Sequence, residues 1–318
     1  MKALEGRVAI ITGAGRGIGR EHALLFASEG AKVVINDLGG ATDGSGSDQT
    51  AAEQVVAEIE AMGGEAIANA DNVTDWAGAE RMVNAAVEAF GDLHVLVNNA
   101  GILRDRFSFN MSEEEWDAVV AVHMKGHFAP TRFAAAYWRE QSKAGKAVNA
   151  AIVNTTSAAG LLGNAGQLNY TAAKAGIAGM TMAEAMELGR YGVRANCIAP
   201  IARTRLTLQT PGLGDNVAAP DDAAEFDALD PANISPLVGY LATADCPFTG
   251  GVFHVMGDEV ALFEGWSVKD RIKNNGDRWT VSQLAAEGKK LLDGRPALAS
   301  QGADMGSLIG NMLGAPTA

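Results

Sequence analysis

The sequence predicts an α/β protein built on a single doubly wound parallel sheet of about seven strands, with helices on both faces. Short, apolar, β-branched runs alternate with longer helical patterns along most of the chain, and this alternation favours right-handed βαβ units. Glycine-rich or polar motifs follow one predicted strand after another. The length of 318 residues suits one large α/β domain with a full core, or two small domains.

The bulk composition argues against several classes of function. Hydrophobic residues make up 47% and charged residues 20% of the chain, an ordinary balance for a globular protein. A net charge of −13 disfavours a nucleic-acid surface, which needs a basic face. No apolar run reaches the roughly 18 residues of a membrane-spanning helix. The scattered histidines and cysteines predict no metal site.

Cysteine usage and the first residues predict a cytoplasmic protein. Two cysteines, Cys197 and Cys246, make a disulfide framework improbable and suit a reducing compartment. A strand-like run begins almost at once, which leaves no room for a secretory signal.

The predicted elements follow from periodicity and from start and stop signals. The strands cover residues 7–11, 32–36, 65–69, 93–97, 151–153, 193–198 and 252–255. One helix follows the first strand, and the others cover residues 50–62, 75–90, a long segment through 122–126, a segment ending near 192, and residues 234–241. Ser112 and Glu115 form a capping box that opens the long helix. Residues 38–48 are predicted to form a mobile loop, and residues 210–231 a polar stretch.

The motif T-G-A-G-R-G-I-G, residues 12–19, lies between the first strand and the first helix. In this context Gly13 permits a tight turn, Gly17 lets the backbone approach a pyrophosphate, and Gly19 lets the helix pack closely. The helix N-terminus, at Ile18 and its neighbours, offers N–H groups and a partial positive charge to phosphates. A glycine pattern alone is also compatible with a plain loop, but the strand and helix around it favour a dinucleotide site.

Asp37 ends the second strand, about twenty residues beyond the glycine turn. A carboxylate there accepts hydrogen bonds from both ribose hydroxyls of NAD and repels the 2′-phosphate of NADP. Arg16, within the glycine turn, favours the opposite choice because a guanidinium binds phosphate. The sequence favours NAD, since a buried like-charge clash costs more than an exposed arginine gains.

Other strand ends are predicted to complete the cofactor site, because ligands bind beyond the carboxyl ends of parallel strands. Residues 71–73 follow the third strand, where they would flank an adenine ring. The further candidates follow the third, fourth and sixth strands: Asp71, Asn72, Val73, Asn99, Ala100, Gly101, Pro200 and Thr204.

The stretch from Ser157 to Lys174 follows the fifth strand and is the candidate catalytic segment. Tyr170 and Lys174 are spaced i, i+4, so on a helix they share one face. The ammonium favours the phenolate, and lowering the phenol pKa from about 10 to about 7 takes about 4 kcal/mol. Ser157 would hold a substrate oxygen. A serine-rich turn followed by an alanine-rich helix with a solvated lysine is the alternative, which the position at a strand end disfavours.

On T-G-A-G-R-G-I-G, N-N-A-G, Ser157 and Y-T-A-A-K, the chain resembles the short-chain dehydrogenase/reductase family over residues 5–257. The resemblance implies a Rossmann-type domain that forms a homodimer or homotetramer. It implies Tyr170 as the catalytic acid/base, Lys174 as the residue that binds the nicotinamide ribose and lowers the tyrosine pKa, and Ser157 as the residue that orients the substrate. Where the family has a catalytic asparagine, this chain has His123.

Four longer sequence segments resemble one branch of that family. The segments N-D-L-G-G, N-N-A-G-I-L-R-D-R, V-H-M-K-G and A-P-I-A-R-T-R-L-T are similar to the (3R)-hydroxyacyl-CoA dehydrogenase domain of the peroxisomal multifunctional β-oxidation enzyme. His123 belongs to this resemblance. Enzymes described as 17β-hydroxysteroid dehydrogenases share the branch. It implies an NAD-dependent oxidation of a small secondary alcohol, a 3-hydroxyacyl-CoA or a steroid-like alcohol.

Three other functions are considered. A 17β-hydroxysteroid dehydrogenase is the first, and an NADPH-dependent 3-oxoacyl reductase, which Asp37 disfavours, is the second. A non-catalytic NAD-sensing module is the third. The presence of Ser157, Tyr170 and Lys174 disfavours it, because a sensor needs none of these groups for turnover.

Four arginines after the fourth and sixth strands raise the hypothesis of contacts with CoA phosphates. They are Arg104, Arg106, Arg203 and Arg205. Ordinary ion pairing with Asp105, Asp215 or acids of the tail is the favoured alternative.

The sequence divides into a domain at residues 1–263 and an extension at 264–318, which is predicted to pack on the domain or on a neighbouring subunit. A loosely ordered terminus is the alternative. Residues 282–292 are predicted to form a short amphipathic helix. Small residues on the Tyr170 helix suit close packing, either in an oligomer contact or on the chain's own sheet; they are Ala172, Ala173, Ala175, Gly176 and Gly179.

Overall fold

The computed structural model describes residues 2–209, 219–220, 222, 225–268 and 270–291. The chain divides into two compact units, residues 1–263 and residues 264–318. Much of the polar stretch predicted at 210–231, including Asp215, lies outside the described residues. So does the chain from residue 292 onward.

The first unit contains one sheet in the order β3-β2-β1-β4-β5-β6-β7-β8. The strands are β1 Val8–Thr12, β2 Lys32–Asn36, β3 Glu65–Asn69, β4 Val95–Asn98, β5 Ala150–Thr155, β6 Val193–Pro200, β7 Val252–Met256 and β8 Glu259–Leu262. The pairings from β3 to β7 are parallel. The predicted fold class, a doubly wound parallel sheet, is confirmed.

The eighth strand was not predicted from the sequence. It pairs with β7 in antiparallel fashion, after a two-residue turn at Gly257 and Asp258. Glu259 and Val260 are exposed, so this edge strand lacks the buried apolar run that reveals the inner strands.

The helices are α1 Gly17–Ser28, α2 Thr50–Ala61, α3 Trp76–Phe90, α4 Glu113–Val120, α5 Gly126–Lys143, α6 Ala158–Leu162, α7 Leu168–Leu188, α8 Arg205–Gln209, α9 Ser235–Ala242 and α10 Val281–Glu287. The predicted capping box at Ser112 and Glu115 opens α4. The long helix predicted through 122–126 is interrupted by a π-helical turn at Ala121–Lys125. Among the helices of the described residues, none has both the length and the apolar character needed to cross a membrane.

Apolar residues are buried on both faces of the sheet. Ile11, Val33 and Ile35 pack with α1, α2 and α9 on one face. Ile10 and Val34 pack with α3 and α5 on the other. Because successive side chains of a strand point to opposite faces, these near-continuous apolar runs identify strands covered on both sides.

The parallel register brings the carboxyl ends of the strands to one edge. Thr12 pairs with Asn36, and Asn98 pairs with Asn154. The turns after β1, β2, β4, β5 and β6 therefore meet at that edge, where the candidate site lies.

In the second unit, α10 is opened by a capping box between Thr280 and Gln283, and a 3₁₀ turn follows at Gly288–Leu291. The helix predicted at 282–292 is thus observed one residue earlier, and its last residue lies outside the described part of the chain. The packing of the extension on the domain or on a neighbouring subunit stays a prediction.

Candidate active site

A cavity of about 380 Å³ lies at the carboxyl edge of the sheet. His123 and all the predicted cofactor-binding residues line it: Gly13, Arg16, Gly17, Ile18, Gly19, Asp37, Asp71, Asn72, Val73, Asn99, Ala100, Gly101, Tyr170, Lys174, Pro200 and Thr204. Ser157 is absent from this lining, although its hydroxyl is a hydrogen-bond partner of Tyr170.

The glycine turn has the close approaches that its sequence predicts. Gly13 and Gly17 have φ of +64° and +55°, a region that L side chains rarely adopt. A Cβ on Gly19 would lie 2.1 Å from the Gly13 carbonyl oxygen. Arg16, the N-cap of α1, provides no side-chain hydrogen bond to the helix, so the first N–H groups of α1 remain available to an anion. This donor set fits the pyrophosphate of a dinucleotide.

Asn99 and Thr12 brace the turn against β4. The Asn99 Nδ2 donates to the carbonyl oxygens of Thr12 and Gly13 at 3.0 and 3.1 Å. The Thr12 Oγ1 accepts from the backbone N–H groups of Asn99 and Ala100 at 3.0 and 3.1 Å. The N-N-A-G motif thus holds the glycine turn in place and also lines the cavity.

Asp37 is fixed by backbone donors on both sides. Its Oδ2 accepts from the Gly15 N–H at 2.7 Å, and its Oδ1 accepts from the Gly39 N–H at 2.6 Å. The carboxylate lines the cavity directly after β2, where the ribose of a dinucleotide is expected.

The glycine-rich loop at residues 38–48, which the sequence predicts to be mobile, lines the same cavity. The Leu103 N–H donates to the Thr42 carbonyl at 3.0 Å, and Arg104 Nε donates to the Asp43 carbonyl at 2.9 Å. These contacts join the loop to the segment after β4. Sequence reasoning missed the lining residues of this loop; the glycine pair that closely follows Asp37 is the signal that marks them.

Tyr170 and Lys174 lie on the first turns of α7. The Lys174 Nζ donates to the Thr155 carbonyl at 2.7 Å and lies 5.5 Å from the centroid of the Tyr170 ring. A Cβ on Gly160 would lie 2.6 Å from the Lys174 backbone, so α6 packs directly against the lysine. The predicted i, i+4 pair therefore faces one cavity.

The pKa shifts of this pair differ from the sequence expectation. Burial raises the pKa of the Tyr170 phenol to about 12, although hydrogen bonding to Ser157 opposes this rise. Burial also lowers the pKa of Lys174 to about 7. The lowering of the phenol pKa that a close, partly desolvated Lys174 could supply is thus not found among the protein's own groups, because burial, and to a smaller extent the charge of Asp105, raise the pKa of Tyr170.

Ser157 is the N-cap of the short helix α6. Its Oγ accepts from the Ala159 N–H at 3.2 Å, and its hydroxyl is a partner of Tyr170. Because a hydroxyl has one proton and two lone pairs, Ser157 can cap the helix as an acceptor and still donate its single proton, either to Tyr170 or to a substrate oxygen.

His123 lies in the π-helical turn and is fully buried. Its Nε2 lies 2.8 Å from the Ile102 carbonyl oxygen, and its ring meets the Tyr170 ring edge-on, with centroids 5.1 Å apart. Burial and then the charge of Lys174 hold the pKa of His123 well below its usual value, so the imidazole is neutral. A Cβ on Gly101 would lie 2.6 Å from His123 Cε1. Within the described residues, His123 Nδ1 has no partner.

A buried polar network joins the ends of β4 and β5 to α7, and no local sequence pattern indicates it. Asn98 Nδ2 donates to Asn154 Oδ1 at 2.9 Å. Asn154 Nδ2 donates to Thr181 Oγ1 and to Glu184 Oε2, at 2.9 and 2.8 Å. Burial raises the pKa of Glu184 to about 7 despite the hydrogen bond from Asn154. This carboxyl therefore titrates near neutral pH.

The four arginines considered for CoA phosphates have different surroundings. Arg106 pairs with Glu115 at 2.8 Å, and Arg203 pairs with Asp227. These acids differ from the partners named from the sequence, since Asp105 accepts from Gln167 instead. Arg205 lines the cavity. The described residues contain no cluster of potential metal ligands.

The sequence of this chain is similar to a family model and to several known proteins. The family model described as short chain dehydrogenase matches residues 7–209. Hydroxyacyl-CoA dehydrogenase ChsB1 of Mycobacterium tuberculosis is 44% identical over 296 residues, covering 92% of this chain and 90% of that protein. Peroxisomal multifunctional enzyme type 2 of Drosophila melanogaster is 42% identical over 265 residues, covering 83% of this chain and 40% of that enzyme.

A solved structure supports the same relationship. The crystal structure of a short chain dehydrogenase from Mycobacterium avium has a TM-score of 0.81 and 52% sequence identity, covering 92% of this chain and 97% of that one. The resemblance that the motifs indicate is thereby confirmed.

Proposed function

The chain belongs to the short-chain dehydrogenase family, and we propose that it is an NAD-dependent oxidoreductase that oxidises the 3-hydroxyl group of a 3-hydroxyacyl-CoA, including one that bears a steroid. The observation that carries the proposal is the convergence of Tyr170, Lys174, the glycine turn and Asp37 on one cavity. The hydroxyacyl-CoA dehydrogenase of M. tuberculosis, similar over nearly the whole chain, supports the substrate class.

Bound in this cavity, a nicotinamide dinucleotide supplies the hydride acceptor. The first turn of α1 would hold the pyrophosphate and Asp37 the ribose, while residues 71–73 would flank the adenine. The preference for NAD over NADP rests on Asp37, whose two oxygens are held in place by Gly15 and Gly39.

Tyr170 and Lys174 act as one unit in proton transfer. The substrate hydroxyl loses its proton to the Tyr170 oxygen as the C3–H electron pair leaves as hydride. Since the phenol pKa is about 12 and the lysine pKa about 7, Tyr170 enters oxidation as a neutral phenol and Lys174 as a neutral amine. As the Tyr170 oxygen takes up the proton of the substrate, the phenol's own proton passes on to Lys174, so the pair leaves the reaction with one additional proton. Reduction of a ketone runs the same transfer in reverse.

Ser157 and His123 hold the reacting groups. The Ser157 hydroxyl orients the substrate oxygen toward Tyr170. His123 is neutral; its ring packs edge-on with that of Tyr170, and its Nε2 is hydrogen-bonded to the backbone of Ile102. His123 therefore acts as a positioning residue.

The proposed function also implies a substrate class, an oligomeric state and a cellular compartment. The substrate is a small molecule, and Arg205 on the cavity wall is a candidate for a CoA phosphate. A homodimer or homotetramer is proposed from the family resemblance, with the small residues of α7 as one candidate surface. Free thiols at Cys197 and Cys246 support a reducing compartment such as the cytoplasm.

One assay tests this proposal. NAD and NADP are each offered with (3R)- and (3S)-hydroxyacyl-CoA and with a 17β-hydroxysteroid, for the wild type and for Tyr170→Phe. Turnover of a hydroxyacyl-CoA with NAD, lost in Tyr170→Phe, is expected. Turnover of the steroid alone would assign the hydroxysteroid dehydrogenase function. Cofactor binding without turnover of any substrate would favour a sensor.

A further inference from the structure

Arg16 is a positively charged residue that lines the cavity together with Asp37, at the end where the ribose is expected (the ribose end). A charge at this end affects the preference between NAD and NADP. Arg16 carries a guanidinium, and a guanidinium beside a ribose suits a 2′-phosphate. In the structure this group is engaged elsewhere, because its Nη2 lies 3.5 Å from Asp48 Oδ2. The side chains of Arg16 and Asp48 are 38% and 47% exposed, so the pair is at the surface and open to exchange.

Asp48 is held in this position by the two ends of its loop. Its N–H donates to the Leu38 carbonyl at 3.0 Å. Gly39, with φ of +74°, passes so close that a Cβ there would lie 1.9 Å from the Asp48 carbonyl oxygen. The Asp48 Oδ1 accepts from Thr50 N–H at 3.1 Å and from Thr50 Oγ1 at 2.5 Å. The other carboxylate oxygen, Oδ2, faces Arg16.

The same loop connects Asp48 to Asp37. Gly39 donates its N–H to Asp37 Oδ1 and contacts the Asp48 backbone. Two carboxylates and one guanidinium are therefore linked through this loop, Asp37 and Asp48 by way of Gly39 and Asp48 directly to Arg16, and their formal charges sum to −1. If Asp48 were neutral, the three groups would sum to zero and Arg16 would have no competing anion there.

We propose that Asp48 is a specificity-determining residue, which binds Arg16 and so withholds its guanidinium from the 2′-phosphate of NADP. Asp37 repels that phosphate, and Asp48 removes the cation that would otherwise offset the repulsion. The proposal rests on the proposed function, since it takes the cavity to be a dinucleotide site. It concerns the change in cofactor preference on substitution, and not the preference of the wild type itself.

Direct binding of NADH and NADPH, followed by the fluorescence of the nicotinamide, tests the proposal without any substrate. Asp48→Asn is the main variant, because an amide keeps the acceptor for Thr50 and the size of the side chain while losing the charge. We expect Asp48→Asn to bind NADPH roughly three- to tenfold more tightly than the wild type, with NADH affinity changed less than twofold, as suits an exposed ion pair. The double variant Asp48→Asn with Arg16→Ala is expected to lose this gain.

Two controls separate charge from loop structure. Asp43→Asn removes a charge from the same loop at a side chain that bonds Ser45 and not Arg16, and is expected to leave both affinities unchanged. Thr50→Ala removes the anchor of Asp48 Oδ1 and keeps its charge, so NADPH affinity is expected to rise less than in Asp48→Asn.

The outcomes are distinct. Unchanged NADPH affinity in Asp48→Asn, a gain that persists without Arg16, or an equal gain in Asp43→Asn would overturn the role of Asp48. A wild type that binds NADPH more tightly than NADH contradicts the proposed NAD dependence instead. In that case the ratio of NADPH affinities between Asp48→Asn and the wild type still tests the role of Asp48.

Discussion

Lys174 donates a hydrogen bond from Nζ to the carbonyl oxygen of Thr155 at 2.7 Å. Thr155 is the last residue of β5, so the lysine is anchored to the edge of the sheet while its side chain is buried. Burial lowers its pKa to about 7. A group with that pKa changes its charge across the physiological range, and the charge of the proposed catalytic pair, Tyr170 and Lys174, changes with it.

This titration predicts opposite pH dependences for the two directions of the reaction. Lys174 loses its proton as pH rises through about 7. Oxidation delivers a proton to the Tyr170–Lys174 pair, so kcat/KM for oxidation is expected to rise from pH 6 to pH 8, while that for reduction falls. Lys174→Arg is expected to abolish this change of kcat/KM between pH 6 and pH 8, because a guanidinium stays protonated. The variant is also expected to lose roughly 100-fold or more in rate. Initial rates in both directions at saturating cofactor measure it. A wild-type profile that is flat between pH 6 and pH 8 contradicts the assignment.

His123 is expected to act through its Nε2 hydrogen bond to Ile102 and not through proton transfer. His123→Gln places an amide near the Nε2 position, whereas His123→Asn places one near Nδ1. The Gln variant is expected to retain activity within about tenfold, and the Asn variant to lose roughly 10- to 100-fold in kcat, as suits a lost buried hydrogen bond. Steady-state kinetics and a pH profile of kcat are the measurements. The reverse order of activities would assign the catalytic role to Nδ1.

Gly19 is expected to tolerate no side chain. A Cβ there would meet the Gly13 carbonyl oxygen at 2.1 Å and Asn99 Nδ2 at 2.6 Å, so Gly19→Ala must displace the glycine turn. We expect a loss of at least about 1–3 kcal/mol in stability, together with at least tenfold weaker binding of NADH. Gly179→Ala is the matched control on α7, since nothing lies within 4 Å of its added Cβ. It is expected to stabilise the helix by about 0.5–1 kcal/mol. Normal NADH binding by Gly19→Ala would show that the turn is more adaptable than its geometry indicates.

The parts of the fold that the sequence predicted are those with a local cause. Apolar β-branched runs identify the inner strands because those strands are buried on both faces. Ser112 and Glu115 identify the start of α4 because a capping box depends on residues three positions apart. Most of the predicted cofactor-binding residues were predictable for the same reason, since they lie shortly after the carboxyl end of a strand.

The parts that the sequence did not predict depend on contacts between distant segments. β8 is exposed and exists as a strand only by pairing with β7. The tyrosine and lysine pKa shifts come from burial, which spacing along a helix does not reveal. Asp48 meets Arg16 across 32 residues, and no local pattern marks that pair. Glu184 was missed because its environment is formed by β5 together with α7.

Glu184 gives the last prediction, which concerns stability. Its folded pKa of about 7 lies above the value of about 4.3 expected in the unfolded chain. The folded protein therefore holds an additional proton between these two values, so Glu184 lowers the stability progressively as pH rises through that window, and its full cost is reached above about pH 7.

Glu184→Gln removes the titration and keeps an acceptor for Asn154. The variant is expected to gain on the wild type as pH rises, because ionisation no longer penalises the folded state. Each pKa unit is worth about 1.4 kcal/mol, and partial solvent exposure reduces this, so the advantage is expected to grow by about 1 kcal/mol from pH 5.5 to pH 8. Urea unfolding at the two pH values measures it. Glu60→Gln, at an exposed position on α2 and outside the groups that shift the Glu184 pKa, is the control and is expected to show no such growth. An advantage of Glu184→Gln that is the same at both pH values would mean that the carboxyl does not titrate in this window.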